Sequence, residues 1–319
     1  MLPDPLALDP AYPRNEPSLA QQREAVLALA AQRPWAALGW SDLVEGLIAL
    51  GRTDVPLARL TEGHVDALRI HHEAGTVPVP ESCYGVWASR SHGTGIRGTR
   101  DGDDWLLDGT LRFASGAGLL DRALIPAWVD PDHQVLLDVP VRDWPFVDDW
   151  RTRAMELSRS FSATLFQQRS TGRQIGEVDF YLDRRGFFLG GIGVAAVWAG
   201  GAGRVRDLLL RALPGEHRTA AQTVRLGAVR SELATAAAMC RSVSACLDRS
   251  LPGDGRTVAT ECRAGVAGAV RRLLEQARVA VGPTGLAYDE DLTRAVDDVA
   301  LYVAQQNQDG DAAYLGGLA

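Results

Sequence analysis

Residues 102–116 read Gly102-Asp103-Asp104-Trp105-Leu106-Leu107-Asp108-Gly109-Thr110-Leu111-Arg112-Phe113-Ala114-Ser115-Gly116. Gly102-Asp103-Asp104 and Asp108-Gly109 are turn signals. Glycine takes positive φ freely, and an aspartate side chain bonds its own backbone. Between and after them run Trp105–Leu107 and Leu111–Ala114, short and rich in β-formers. The stretch closes on an aromatic, a small residue, a hydroxyl and a glycine. Such an end is either a plain strand–turn junction or a place to hold a flat ring and a hydrogen-bonding group against a heterocycle.

Working outward, Tyr84–Ser89, Arg122–Val129 and Val135–Val139 have the same texture, separated by Gly, Pro and Asp-Gly. Residues 77–183 therefore read as an antiparallel β-barrel or sandwich. Residues 1–76 read as a proline-rich arm and a short helical segment. Its helices run over Ala20–Gln32, over Asp42–Leu50 with Ser41 as cap and Gly51 as stop, and from Thr61-Glu62 to about His72. Residues 184–319 predict a four-helix bundle, with helices near 187–212, 217–249, 256–281 and 289–307. Pro214-Gly215, Leu251-Pro252-Gly253-Asp254-Gly255 and Gly282-Pro283 break them apart. The fold class is thus α+β and multi-domain.

Composition excludes several chemistries. The net charge is −7, which disfavours nucleic acid as a partner. All 33 basic residues are arginine. With no lysine there is no Walker loop, no Schiff-base lysine and no Ser-x-x-Lys nucleophile. Cys83, Cys240, Cys246 and Cys262 have no CxxC spacing and read as packing residues of a reducing, cytoplasmic compartment. The start of the chain is acidic and proline-rich, unlike a signal peptide. No run of 18 uncharged apolar residues is read, so a membrane span is not expected.

Gly191-Ile192-Gly193-Val194-Ala195-Ala196 matches GxGxxA. A dinucleotide fingerprint needs a second parallel strand after its helix, and here helix follows helix. With Gly200, Gly201 and Gly203 these glycines read as a close-packing helix face. His71-His72-Glu73 lacks a second ligand pair and reads as a solvated helix end rather than a metal site. His92 is a polar loop residue that could touch a ligand.

Taken together, roughly residues 50–316 resemble the acyl-CoA dehydrogenase family, with its elements in order. Gly51–Arg59 followed by Glu62-Gly63-His64 is similar to the family's last N-terminal helical segment. Gly102–Gly116 resembles its "GDxYxxNGxKxWIT(N/S)G" stretch without a gap. Gln276–Gly285 resembles its "QxxGGxG" turn, with Val279 where the family has Gln. The resemblance implies a truncated N-terminal helical segment, a central barrel, a C-terminal four-helix bundle, and FAD. Phe113, Ala114 and Ser115 would lie beside the flavin ring. Trp87, Ala88 and Ser89 would follow the family's "xTEP" strand, although the TEP itself is missing. Gly282, Pro283 and Thr284 would meet the pyrophosphate of a neighbouring subunit's FAD, with Arg218 or Arg225 as the arginine that pairs with it, so a homodimer or homotetramer, or a heteromeric assembly, is implied.

The family's catalytic base departs most. Aligning Asp298-Val299-Ala300-Leu301-Tyr302 on "RDAKIY" puts Gln306 at the family's Glu, and an amide is no base. The alternative position, near Gly190, has no carboxylate either, and Asp309 and Asp311 are the nearest acids. Three functions remain open at this stage: α,β-desaturation of an acyl thioester (on CoA or a carrier protein), another flavin-dependent oxidation such as an oxygen-dependent one, or a non-catalytic subunit of a heteromeric dehydrogenase.

Overall fold

The computed structural model describes residues 1–89, 93–249 and 254–318. Helix α1 (Leu19–Ala30) starts in a capping box between Ser18 and Gln21. Helix α2 (Trp40–Thr53) is capped from far away: Asp248 accepts from the backbone N–H of Trp40 at 2.6 Å and of Ser41 at 2.9 Å. Ser41 is thus the capped residue rather than the cap. Nor does Gly51 stop α2, which continues to Thr53. Its use is close approach. A Cβ on Gly51 would sit 2.3 Å from the Val197 carbonyl oxygen, and one on Gly200 would sit 2.2 Å from that of Ile48. Helix α3 (Val55–Glu73) begins six residues before Thr61, because Asp54 accepts from Leu57 N–H at 3.2 Å and Pro56 tolerates the first turn.

The strands are β1 (Tyr84–Val86), β2 (Gly95–Asp101), β3 (Asp104–Ala114), β4 (Arg122–Trp128), β5 (Gln134–Pro140), β6 (Phe146–Val147), β7 (Phe161–Ser170) and β8 (Arg173–Ile175). They pair in the order β6-β7-β3-β2-β4-β5-β8, with β1 beside β4. The pairings are antiparallel except β1–β4 and β2–β4. The turn signals at Gly102 and Gly109 differ in outcome. Gly102 makes the β2–β3 hairpin turn, with φ +62°. Gly109 stays inside β3, where a Cβ would meet the Gly95 carbonyl oxygen at 2.2 Å. That close approach and a φ of +131°, not a turn, require the glycine.

After the short α4 (Phe180–Asp183), α5 (Gly186–Ala212), α6 (Ala220–Asp248), α7 (Gly255–Tyr288) and α8 (Glu290–Val303) form the bundle, and α9 (Gln308–Gly316) follows. Helix α7 breaks at Gly282, whose φ is +59° and ψ −168°, ahead of Pro283. Helix α5 corrects one expectation, because by length and composition it could cross a membrane. In the fold it is the central helix, packed against α2, α6, α7 and α8, and 67% of its most apolar window is buried in protein. Glycines 200 and 201 form its contact face, as the sequence suggests. His71 is fully buried beside Asp138 rather than solvated, while His72 is exposed. The ends of β1 and β3 face α3, α5, α7 and α8 across a cavity.

Candidate active site

The β3–β7 register shifts between Leu111 and Ala114, so Arg112 and Phe113 bulge out of the ladder. Phe113 takes φ +59°, a left-handed conformation that costs a bulky residue on the order of 1–3 kcal/mol. The result is an aromatic ring left 52% exposed at the cavity, edge-on to Trp150 at 6.3 Å and 85°. Beside it Trp87 donates its indole N–H to the Ser115 carbonyl at 2.9 Å. Met155 and Arg159 are also left-handed, so strained backbone gathers along this rim.

Ser115 Oγ lies 2.8 Å from Ser160 Oγ, which lies 2.8 Å from Ser158 Oγ, and Ser158 donates to the Met155 carbonyl at 2.7 Å. Each hydroxyl has one proton. Because Ser158 uses its own on Met155, Ser160 must donate to Ser158, and Ser115 to Ser160. Ser115 Oγ is left as an acceptor at the cavity. The Met155 N–H is held by Asp298 of α8 at 2.5 Å, and burial pushes the Asp298 carboxyl up to about 7.

The cavity has a volume of about 630 Å³, in the range of small-molecule and cofactor sites. Its other wall is ionic. Arg59, Glu62 and Asp66 recur at i, i+3 and i+7 on one face of α3. Arg59 donates to Glu62 at 2.9 Å. Arg184, ahead of α5, pairs with Glu73 at 3.2 Å and approaches Asp66 at 3.8 Å. Burial pushes Glu62 up to about 7, helped by Asp66 and opposed by Arg59 and Arg263. Asp66 is likewise raised by burial. Burial and the Glu62 carboxylate keep the Tyr302 phenol protonated. Gly190 and Gly191 of α5 open the floor.

Of the residues singled out in the sequence, Trp87, Ala88, Ser89, Phe113 and Ser115 all line this cavity. Ala114 is fully buried behind them. Gln306 does not line it. Helix α8 ends at Val303, and Gln306 is held in the following turn, accepting from Arg271 at 2.8 Å and donating to Asp311 at 2.6 Å. Its neighbours Ala304 and Gln305 reach the cavity instead. Arg218 donates to the Leu213 carbonyl at 2.6 Å, and Gly282, Pro283 and Thr284 lie at the α7 break; none of these lines the cavity of this chain. His92 lies outside the described residues. Among the described residues no cluster of His, Cys, Asp or Glu could hold a metal ion.

The ionic residues Arg59, Glu62, Asp66, Arg184 and Arg263 were not anticipated. The signal for three of them is a run of charges at one helical phase of α3, Arg59, Glu62, Asp66, Arg69 and Glu73, while Leu57 and Leu60 on the opposite phase pack.

No family model and no curated protein matches the chain. Solved structures do. TdsC from Paenibacillus sp. A11-2, a dibenzothiophene monooxygenase solved with FMN and indole, aligns at TM-score 0.73 and 15% identity over 93% of this chain and 88% of its own. KijD3, solved with FMN and dTDP-3-amino-2,3,6-trideoxy-4-keto-3-methyl-D-glucose, aligns at 0.71 and 17% over 93% and 91%. Glutaryl-CoA dehydrogenase from Mycobacterium smegmatis aligns at 0.70 and 15% over 89% and 82%. The chain has the acyl-CoA dehydrogenase-like fold shared by these proteins.

Proposed function

We propose that the chain is a flavin-dependent monooxygenase acting on a polar small molecule. The observation that carries the reading is the ionic wall of Arg59, Glu62, Asp66, Arg184 and Arg263 facing the Phe113–Ser115 rim. A fatty acyl chain bound there would strip water from those charges without replacing its hydrogen bonds, a cost of several kcal/mol. A polar substrate replaces them.

The rim fits a flavin ring on three counts. Phe113 and Trp150 offer flat apolar surface, Trp87 fixes the Ser115 backbone, and Ser115 Oγ stands as an acceptor for an N–H donor. A reduced flavin carries such an N–H and supplies two electrons to dioxygen, one oxygen atom going to substrate and the other to water. The cavity-lining residues would do the rest. The aromatic rim excludes water, the serine relay fixes one hydroxyl direction, and the ionic wall orients the substrate. FMN satisfies this rim as well as FAD does. The adenine half of FAD would have to reach Arg218 and Gly282–Thr284 on a partner subunit. Assembly through the bundle belongs to the same reading, supported by Val224 and Val279, apolar and exposed on α6 and α7.

One observation favours a second reading. Glu62, pushed up to about 7, is a carboxylate poised to take a proton near neutral pH, as desaturation of an acyl thioester requires. Anaerobic mixing separates the two. Flavin-loaded protein bleached near 450 nm by a short acyl-CoA supports desaturation. No bleaching, together with incorporation of labelled oxygen from O₂ into a polar test substrate when reduced FMN is supplied, supports the monooxygenase. Failure to bind FMN or FAD at millimolar concentration refutes both.

A further inference from the structure

Among the described residues three arginines line the cavity, and two are spoken for: Arg59 by Glu62, and Arg184 by Glu73 and Asp66. Arg263 of α7 is different. Among the described residues it makes no hydrogen bond and no ion pair within 4.0 Å. Glu62, Asp311 and Tyr302 act on it only through space. Its one defined contact is aromatic, with the guanidinium carbon 5.2 Å from the centre of the Trp198 ring. Trp198 is itself fixed edge-on by Tyr302 at 6.1 Å and 89°.

The surroundings are built to keep Arg263 where it is. Its side chain lies across Gly191 of α5, where a Cβ would stand 2.8 Å from the Arg263 Cδ. Gly191, part of the GxGxxA run, is therefore the bed of an arginine rather than a phosphate loop. Among the described lining residues three arginines face two carboxyls, Glu62 and Asp66, both of which burial pushes toward the neutral form, so Arg263 has no carboxylate of its own to balance it. None of its five N–H donors is bonded among the described residues, and none of its nitrogens is buried without a partner, so they stay open to the cavity, where a ligand's oxygens can take the place of water.

We propose that Arg263 is the specificity-determining residue of this cavity and that the substrate carries a carboxylate, held by the planar guanidinium fork against Trp198. A fork of parallel N–H donors matches a carboxylate in a way that an ammonium does not. The inference deepens the monooxygenase reading by naming its substrate class, since the cavity is the same. The other source of an anion is the phosphate of FMN, and the experiment separates the two.

Full-length protein is titrated calorimetrically with benzoate and with benzamide, its neutral isostere, with and without FMN. Benzoate is expected to bind ~10–100-fold tighter than benzamide, the range for a hydrogen-bonded charged contact. Arg263→Gln is expected to erase that preference, and Arg263→Lys to restore only part of it. Thermal melting verifies that each variant is folded. Equal binding of the two probes by the unaltered protein, or a preference that survives in Arg263→Gln, overturns the inference. So does a loss of FMN but not riboflavin affinity in Arg263→Gln with no competition by benzoate, which assigns the arginine to the cofactor phosphate. If neither flavin binds and the benzoate preference persists, the monooxygenase reading falls and the carboxylate site stands.

Discussion

Replacing Glu62 by glutamine isolates the ionisation on which the chemistry of the ionic wall depends. Burial moves this carboxyl from 4.5 to about 7 although Arg59 lies 2.9 Å away and Arg263 also favours the charged form. Asp66 and the buried Tyr302 complete its surroundings. The folded protein therefore keeps a proton that the unfolded chain releases near 4.5. Where the native state binds more protons, stability falls as pH rises, by up to ~1.4 kcal/mol per pH unit for one group. Across the window from 4.5 to about 7 the loss sums to about 3 kcal/mol. Glutamine mimics the protonated acid and can still accept from Arg59. Glu62→Gln should thus match the unaltered protein near pH 4.5 and exceed it by about 3 kcal/mol at pH 8. Asp298, also raised to about 7, keeps its own slope in both proteins and cancels in the difference. Urea melts from pH 4.5 to 8 with an unchanged m-value read the effect. Parallel stability curves would refute the reasoning. A variant that loses ground as pH rises would show that Arg59 outweighs burial and holds Glu62 ionised.

Three further outcomes follow from local geometry. Phe113→Gly removes both the left-handed strain and half-buried ring contact, each worth ~1 kcal/mol. Denaturant stability should hold within about 1 kcal/mol while flavin fluorescence titration shows affinity falling ~2–10-fold, the scale of an aromatic contact. Gly200→Ala drives a methyl into the Ile48 carbonyl and should cost ~1–3 kcal/mol in thermal melts, whereas Gly227→Ala, with nothing within 4 Å, should gain ~0.5–1. Asp248→Ala uncaps α2 and should cost ~1 kcal/mol in urea melts, with Asp248→Asn recovering only part of it, because the amide keeps one acceptor and turns its NH₂ toward the second N–H.

These sites show which parts of the molecule could be read from the sequence. The rim was legible because it is one continuous segment. Turn chemistry, β-formers and a terminal Phe-Ala-Ser-Gly sit within residues 102–116, and the fold keeps Phe113 and Ser115 together at the cavity. The bundle was legible for a similar reason, since the breaks at Pro214-Gly215 and Gly282-Pro283 are written in Pro and Gly, whereas Leu251-Pro252-Gly253 lies outside the described residues. Gly51 and Asp248 were not. A glycine at a helix end and a glycine at a helix crossing look alike in one dimension, and no local rule joins Asp248 to a backbone 207 residues away.

The base position was obscured by a boundary. Register carried along α8 as continuous helix selects Gln306, but the helix stops at Val303, and the turn that follows points Gln306 at Arg271 and Asp311. The acids that do reach the cavity come from α3, on the opposite wall, where Glu62 and Asp66 are spaced as two ordinary charges on an amphipathic helix. Their shared helical phase with Arg59 is written in their own segment, but phase alone does not tell a cavity wall from a solvated face. They acquire meaning only when α5 closes the cavity over them and when Arg263, seated on Gly191, crosses from α7 to face them. A carboxyl left in water titrates near 4.5, whereas the same group enclosed here titrates near 7. The chemistry of this site is thus a property of enclosure, which three distant helices create and no single segment carries.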